Sequence, residues 1–208
     1  MARLIHCFKF DVKLLRLSYS FPFAAYALCV FLMLSAGTRS DDPFLPYIFL
    51  QGIAVPMAGW HLLFLYSSLY EKGAEETLLF YYRRMLPVDI IRYMLVHGLL
   101  VSLLAGLAAW INGPDFFSGT ILVHLAMLFI FYQIIGVALL SATNSLDVTI
   151  GIIVSYTFME VVTQGTFMPW PHLFLFEEPI HAFWLRLTFV SLGVGILYAF
   201  VQLWWKFN

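Results

Sequence analysis

Few side chains in this sequence have the chemistry to act on another molecule. Glu160 stands inside the apolar run VSYTFMEVVT, where a carboxylate costs roughly 2.5 to 3.5 kcal/mol on insertion scales. Two readings fit it: a cavity or gate residue, or an acid held protonated or hydrogen-bonded near an interface. Gln51 and Gln133 also interrupt apolar runs, and either faces a translocation path or hydrogen-bonds a neighbouring helix. His97 is expected near the inner end of its apolar run and His124 near the outer end of its own, most of a membrane thickness apart, so these two make no metal site; His61 falls near the inner end of its run. No G-x-S-x-G, H-E-x-x-H or G-x-x-x-x-G-K-[ST] motif occurs, which leaves no marked nucleophile, zinc hydrolase site or phosphate-binding loop.

The elements that carry these residues are set by composition. The chain has 208 residues, 62% hydrophobic and only 11% charged, with 21 Phe, 11 Tyr and 6 Trp. Its mean hydropathy is +0.88. A soluble domain carries about 25% charged residues, so the solvent for this chain is a bilayer. The net charge of −1 gives no case for nucleic-acid binding. Cys7 and Cys29 suggest neither a disulfide framework nor a zinc site. The charges from Arg3 to Arg16 alternate with bulky apolar residues, unlike a cleavable signal.

About 20 apolar residues cross a hydrocarbon core as a helix. Six stretches qualify: Phe21–Gly37, Pro46–Leu69, Tyr93–Ile111, Gly119–Ser141, Val148–Gln164 and Ala182–Trp205. The expected fold is an all-α integral membrane protein, one transmembrane domain over residues 1–208. Lys and Arg concentrate in the N-terminal segment, between spans two and three, and at Lys206; only Arg39 and Arg186 fall on the other side. The positive-inside rule then puts both termini in the cytoplasm of a multi-pass cell-membrane protein.

Three segments are not spans. Residues 3–17 read as an interfacial amphipathic helix, with Leu4, Ile5, Phe8, Val12 and Leu15 on its apolar face and Asp11 intruding at the edge. Residues 166–181 hold Pro169, Pro171 and Pro179. They are too short to cross and too apolar for an ordinary loop, so they read either as an outer re-entrant element or as a loop resting on headgroups. Residues 71–92, EKGAEETLLFYYRRMLPVDIIR, carry Glu71, Lys72, Glu75, Glu76, Arg83, Arg84, Asp89 and Arg92. Gly73 and Pro87 punctuate this stretch, and between them Glu75 to Leu86 suits a helix of about three turns. Leu78, Leu79, Tyr82, Met85 and Leu86 recur at helical spacing with charges around them, the anatomy of a protein interface. A loop helix on the membrane surface is the other reading.

The layout resembles the membrane subunit of a type 2 ATP-binding-cassette (ABC) exporter. That family has an N-terminal interfacial helix, six spans, a charged cytoplasmic segment between spans two and three, and re-entrant elements before the last span. The residues that match its charged segment are Glu71, Gly73, Glu76, Thr77, Leu78, Leu79, Pro87 and Val88; "GTFMPWPHLF" is similar to its Pro-containing element. Here Gly73 is followed by AEE before Thr77, whereas the family has Gly and Thr adjacent. The resemblance implies an ATPase-coupling helix formed by Glu71, Gly73, Glu75, Glu76, Leu78, Leu79, Tyr82, Arg83 and Pro87. It implies cytoplasmic ABC ATPase partners that hold ATP and Mg, with no cofactor on this chain. It also implies a second permease subunit, identical or paralogous, with spans one, two and five nearest the shared path. Gln51, Gln133 and Glu160 would then be candidates for that path. The aromatic, weakly charged spans suit a hydrophobic or amphipathic cargo such as a peptide, drug or lipid. A channel, or a substrate-capture component without ATPase contacts, is the alternative.

The topology is directly testable by cysteine accessibility in a background lacking Cys7 and Cys29. A cysteine at position 75 is expected to react only after permeabilisation, and cysteines at 41, 115 and 177 from outside. Labelling of position 75 in sealed cells would reverse the orientation.

Overall fold

A computed structural model of the chain describes residues 2–70, 75–164, 166, 172–177 and 182–207. Among them the secondary structure is helical throughout, without strands. Six helical stretches are long and apolar enough to cross a membrane: Phe21–Arg39, Leu45–Ser67, Met85–Asn112, Gly119–Thr143, Leu146–Thr163 and Ala182–Phe207. They are called spans one to six. Span ends carry recognisable signals. Ser118 and Ser145 cap spans four and five by accepting from the backbone N–H of Ile121 and Val148. Asn144 and Gln164 end the same spans in the left-handed conformation, at φ 51° and 48°.

Spans two and four form the centre. In each, 61% of the most apolar window is buried, against 17–28% in the other four. Their contact is close because Gly59 has no side chain: a Cβ there would stand 2.0 Å from the Tyr132 carbonyl oxygen. Span six packs on span four in the same manner, with Gly195 facing the Phe131 ring.

Span two is not a regular helix. Leu45–Phe49 is α-helical, Leu50–Ala54 is a π turn, Val55–Met57 returns to α, and Trp60–Ser67 resumes after a turn. Pro56 lacks the N–H that would bond the Gly52 carbonyl, and the wider turn absorbs the defect.

One expectation needs correction, that Pro87 punctuates a short separate helix. Instead one helix of 38 residues, Glu75–Asn112, runs through Pro87 into span three. Proline removes one backbone bond, to the Arg83 carbonyl, and the turns on both sides keep theirs. Glu75, Glu76, Leu78, Leu79, Tyr82 and Arg83 belong to the first turns of this rod; Glu71 and Gly73 lie outside the described residues. Leu86, assigned to the docking face, is buried in the bundle. The N-terminal helix, Ala2–Leu15, turns Phe8, Asp11 and Leu15 toward the bundle, with Asp11 2% exposed, and leaves Val12 45% exposed on the outside.

Gly59→Ala is expected to force spans two and four apart, because its Cβ meets backbone rather than a movable side chain. Overpacking of this kind costs about 1–3 kcal/mol. The check is a lower thermal midpoint in detergent. An unchanged midpoint would show that the approach is not tight.

Candidate functional site

The buried polar groups gather into two layers, one at each end of the bundle. The first lies at the end that carries the N-terminal helix. Asp89 and Arg92, one turn apart on the long helix, both face inward. Arg92 Nη2 lies 2.6 Å from Asp11 Oδ2 and 2.8 Å from Asp89 Oδ1. The Tyr93 hydroxyl donates to Asp11 at 2.7 Å, and the Tyr66 hydroxyl donates to Asp89 at 3.1 Å. Arg92 Nε and Nη1 find no hydrogen-bond partner among the described residues, but the rings of Phe8 and Tyr93 cover the guanidinium at 4.7 and 4.9 Å. Burial pushes the Asp11 carboxyl above the usual carboxylate range, against the pull of Tyr93 and Arg92. The charges read as part of an exposed coupling segment thus divide: Asp89 and Arg92 serve the interior instead.

Beside this cluster lies a hydrogen-bonded histidine pair. His61 Nε2 bonds the Tyr19 carbonyl at 2.9 Å, His61 Nδ1 meets His97 Nε2 at 2.8 Å, and His97 Nδ1 meets the Tyr26 hydroxyl at 2.6 Å. A carbonyl only accepts, which sets the direction of the whole chain for neutral rings. His61 Nε2–H donates to Tyr19, His97 Nε2–H donates to His61 Nδ1, and Tyr26 O–H donates to His97 Nδ1. The Tyr93 ring stacks on His61 at 4.9 Å and 13°, joining this chain to the carboxylate cluster. All four ring nitrogens are committed, so neither histidine has a lone pair for a metal or a substrate proton. No group of three or more potential metal ligands occurs among the described residues. The pairing escapes sequence reading because it joins positions 36 residues apart on different helices.

The second layer lies at the opposite end. Residues 172–176 carry no regular secondary structure, and Leu173, Phe174 and Leu175 are buried. Three polar side chains hold this segment. Gln51 Nε2 donates to the Leu175 carbonyl at 2.5 Å, and Gln51 Oε1 accepts from the Leu175 N–H at 3.1 Å. His124 Nε2 donates to the Leu173 carbonyl at 2.8 Å, while its Nδ1 accepts from Tyr47 at 2.7 Å. Glu160 Oε1 accepts from Tyr156 at 3.0 Å and lies 3.3 Å from His172 Nδ1. Gln51 thus bonds this segment rather than a neighbouring helix, and Glu160 bonds Tyr156 of its own helix beside His172. Gln133 is fully buried between helices, its Nε2 3.4 Å from the Tyr93 carbonyl.

Replacing Arg92 by Leu would leave two buried carboxylates without their cation, a loss of about 3–5 kcal/mol. The N-terminal helix is then expected to detach, and trypsin to cut at Lys9 and Lys13 well before it cuts the parent protein. Asp11→Asn keeps an oxygen for Tyr93 and Arg92 and should resist trypsin better than Arg92→Leu. Equal resistance of Arg92→Leu and the parent would show that the ion pair does not hold the helix.

Comparison with protein-family models, with curated proteins and with solved structures finds no match for this chain.

Proposed function

We propose that the chain is the permease subunit of an ABC exporter of the type 2 class, driven by a separate cytoplasmic ATPase. One observation carries this reading. The helix Glu75–Asn112 is about 57 Å long at 1.5 Å per residue, whereas the hydrocarbon core is roughly 30 Å thick. It therefore extends the charged stretch well past the membrane as one rod with span three. The same rod is ion-paired through Arg92 to the N-terminal helix. A displacement of its free end is thus transmitted to span three and to Asp11 without crossing a flexible loop.

In this mechanism the partner binds ATP and Mg, and its closure moves the docked turns around Leu78 and Leu79. The two states of the permease must differ in their contacts with the ATPase, since only differential contact shifts an equilibrium. The charged positions Glu75, Glu76 and Arg83 orient the partner, and the apolar positions carry the binding. The translocation path forms with a second permease subunit. The cargo is hydrophobic or amphipathic, in keeping with cavity walls that are almost wholly apolar.

The test is the double substitution Leu78→Asp with Leu79→Asp, made with a co-expressed ABC ATPase. A carboxylate buried unpaired against the partner is very costly. Binding of the ATPase and cargo-stimulated hydrolysis are expected to fall by ~10-fold or more, with an unchanged gel-filtration profile. Glu76→Ala should act mainly on association rate and salt dependence. A double mutant that still binds the ATPase and transports normally would overturn the proposal in favour of a channel or capture component.

A further inference from the structure

The N-terminal helix meets the bundle with one face only. Phe8, Asp11 and Leu15 turn inward, at spacings of three and four residues. Asp11 is bonded there to Arg92 and Tyr93. With that face inward, Lys9, Phe10, Lys13 and Leu14 are exposed, and Arg16 and Leu17 are exposed in the turn that follows. Lys9 and Lys13 stand one turn apart, and so do Phe10 and Leu14, so a basic row lies beside an apolar row. Phe10 is 59% exposed and Leu17 74%. Asp11 is the only acid between Ala2 and Ser20. Among the described residues, Lys9, Lys13 and Arg16 make no ion pair. Phe8 and Leu15, apolar residues that periodicity marks, face the bundle, so Phe10, Leu14 and Leu17 are a second apolar surface.

The place of the helix decides what this second surface meets. Only Arg16–Tyr19 and Ser20 separate it from Phe21, where span one starts. The left-handed backbone of Arg16, at φ 49°, breaks the path, so the helix does not simply extend span one. Its inward contacts, Arg92 and Tyr93, belong to span three, so it lies beside a span near one end of the bundle. A surface turned away from the spans at that level borders the surrounding bilayer. Phe21 and Phe23, at the start of span one, are exposed as well. A bilayer surface offers both halves of a match: acyl chains for the apolar row, and phosphates for basic side chains long enough to reach them. Three unpaired cations with no acid beside them favour lipids of net negative charge.

We infer that the outward face of the N-terminal helix is an anionic-lipid site. Phe10, Leu14 and Leu17 enter the boundary between headgroups and acyl chains, and Lys9, Lys13 and Arg16 hold the phosphates of acidic lipids. The inference needs the spans to lie in a bilayer. It does not depend on ATPase docking.

The experiment reconstitutes the full chain in phosphatidylcholine nanodiscs that contain a small share of phosphatidylglycerol or of phosphatidylcholine, each with a photoreactive group near its headgroup. Residues 9–17 are expected to be labelled more by the phosphatidylglycerol probe. A basic residue near an anionic surface contributes about fivefold, so Lys9→Gln with Lys13→Gln should remove most of the preference. Salt at about 1 M should weaken it, and Lys9→Arg with Lys13→Arg should keep it. In a background lacking Cys7 and Cys29, a fluorophore on Phe10→Cys is expected to be quenched by lipid spin-labelled near its ester groups and shielded from aqueous iodide. Equal labelling by the two probes, or a preference that survives the double Gln variant, would overturn the inference. A fluorophore at position 10 that iodide quenches and spin-labelled lipid does not would also overturn it, and would leave the face to a soluble acidic partner.

Discussion

Hydrocarbon supplies neither donors nor acceptors, so every polar side chain that enters it must bring its own partner. Arg92 meets that constraint for one whole end of this protein. Its guanidinium joins a carboxylate of the N-terminal helix to one on its own helix, at 2.6 and 2.8 Å. Asp11 in turn fixes the Tyr93 hydroxyl, the Tyr93 ring lies on His61, and His61 bonds both His97 and the Tyr19 carbonyl. Five elements are thereby held: the N-terminal helix, the turn that follows it, and spans one, two and three. An ion pair of this kind does little for stability when compared with a well-packed apolar substitute, yet breaking it is costly. Its effect is to specify which helices meet and in what rotation.

The opposite end solves a different problem with the same chemistry. A buried segment without regular secondary structure has N–H and C=O groups that no helix satisfies. Gln51 presents an amide to Leu175 and meets both its donor and its acceptor, as a neighbouring strand would. His124 takes the Leu173 carbonyl, and Glu160 holds His172 and Tyr156. Span two is therefore tied at both ends, through Gln51 to the 172–176 segment and through His61 and Tyr66 to the other layer. Between these ties it contains the π turn and the break at Gly59. The irregular stretch goes with the missing N–H of Pro56 and the missing side chains of Gly52 and Gly59.

The proposed coupling uses the first layer as a transmission. The rod begins at Glu75, ten residues before span three, and Arg92 ties it to the N-terminal helix near the point where span three begins.

Six apolar stretches, their ends within a few residues except for the third, were legible in the sequence because a hydrocarbon core demands long uninterrupted apolar helices whatever their neighbours. The special standing of Glu160 and Gln51 was legible for the same reason, since a polar side chain there is conspicuous; Pro169, Pro171 and Pro179 of the expected re-entrant element lie outside the described residues. Asp11 on an apolar face was a visible signal whose meaning was not. Helical periodicity tells which residues share a face of their own helix, but not which face of another helix they meet. So the bonds from Asp11 to Tyr93 and from His61 to His97, across 82 and 36 positions, belong to the tertiary structure alone. Pro87 marks the same boundary. Local chemistry favours a break there, and the turns on either side, held in one rod that packs through Leu86, Asp89 and Arg92, override it.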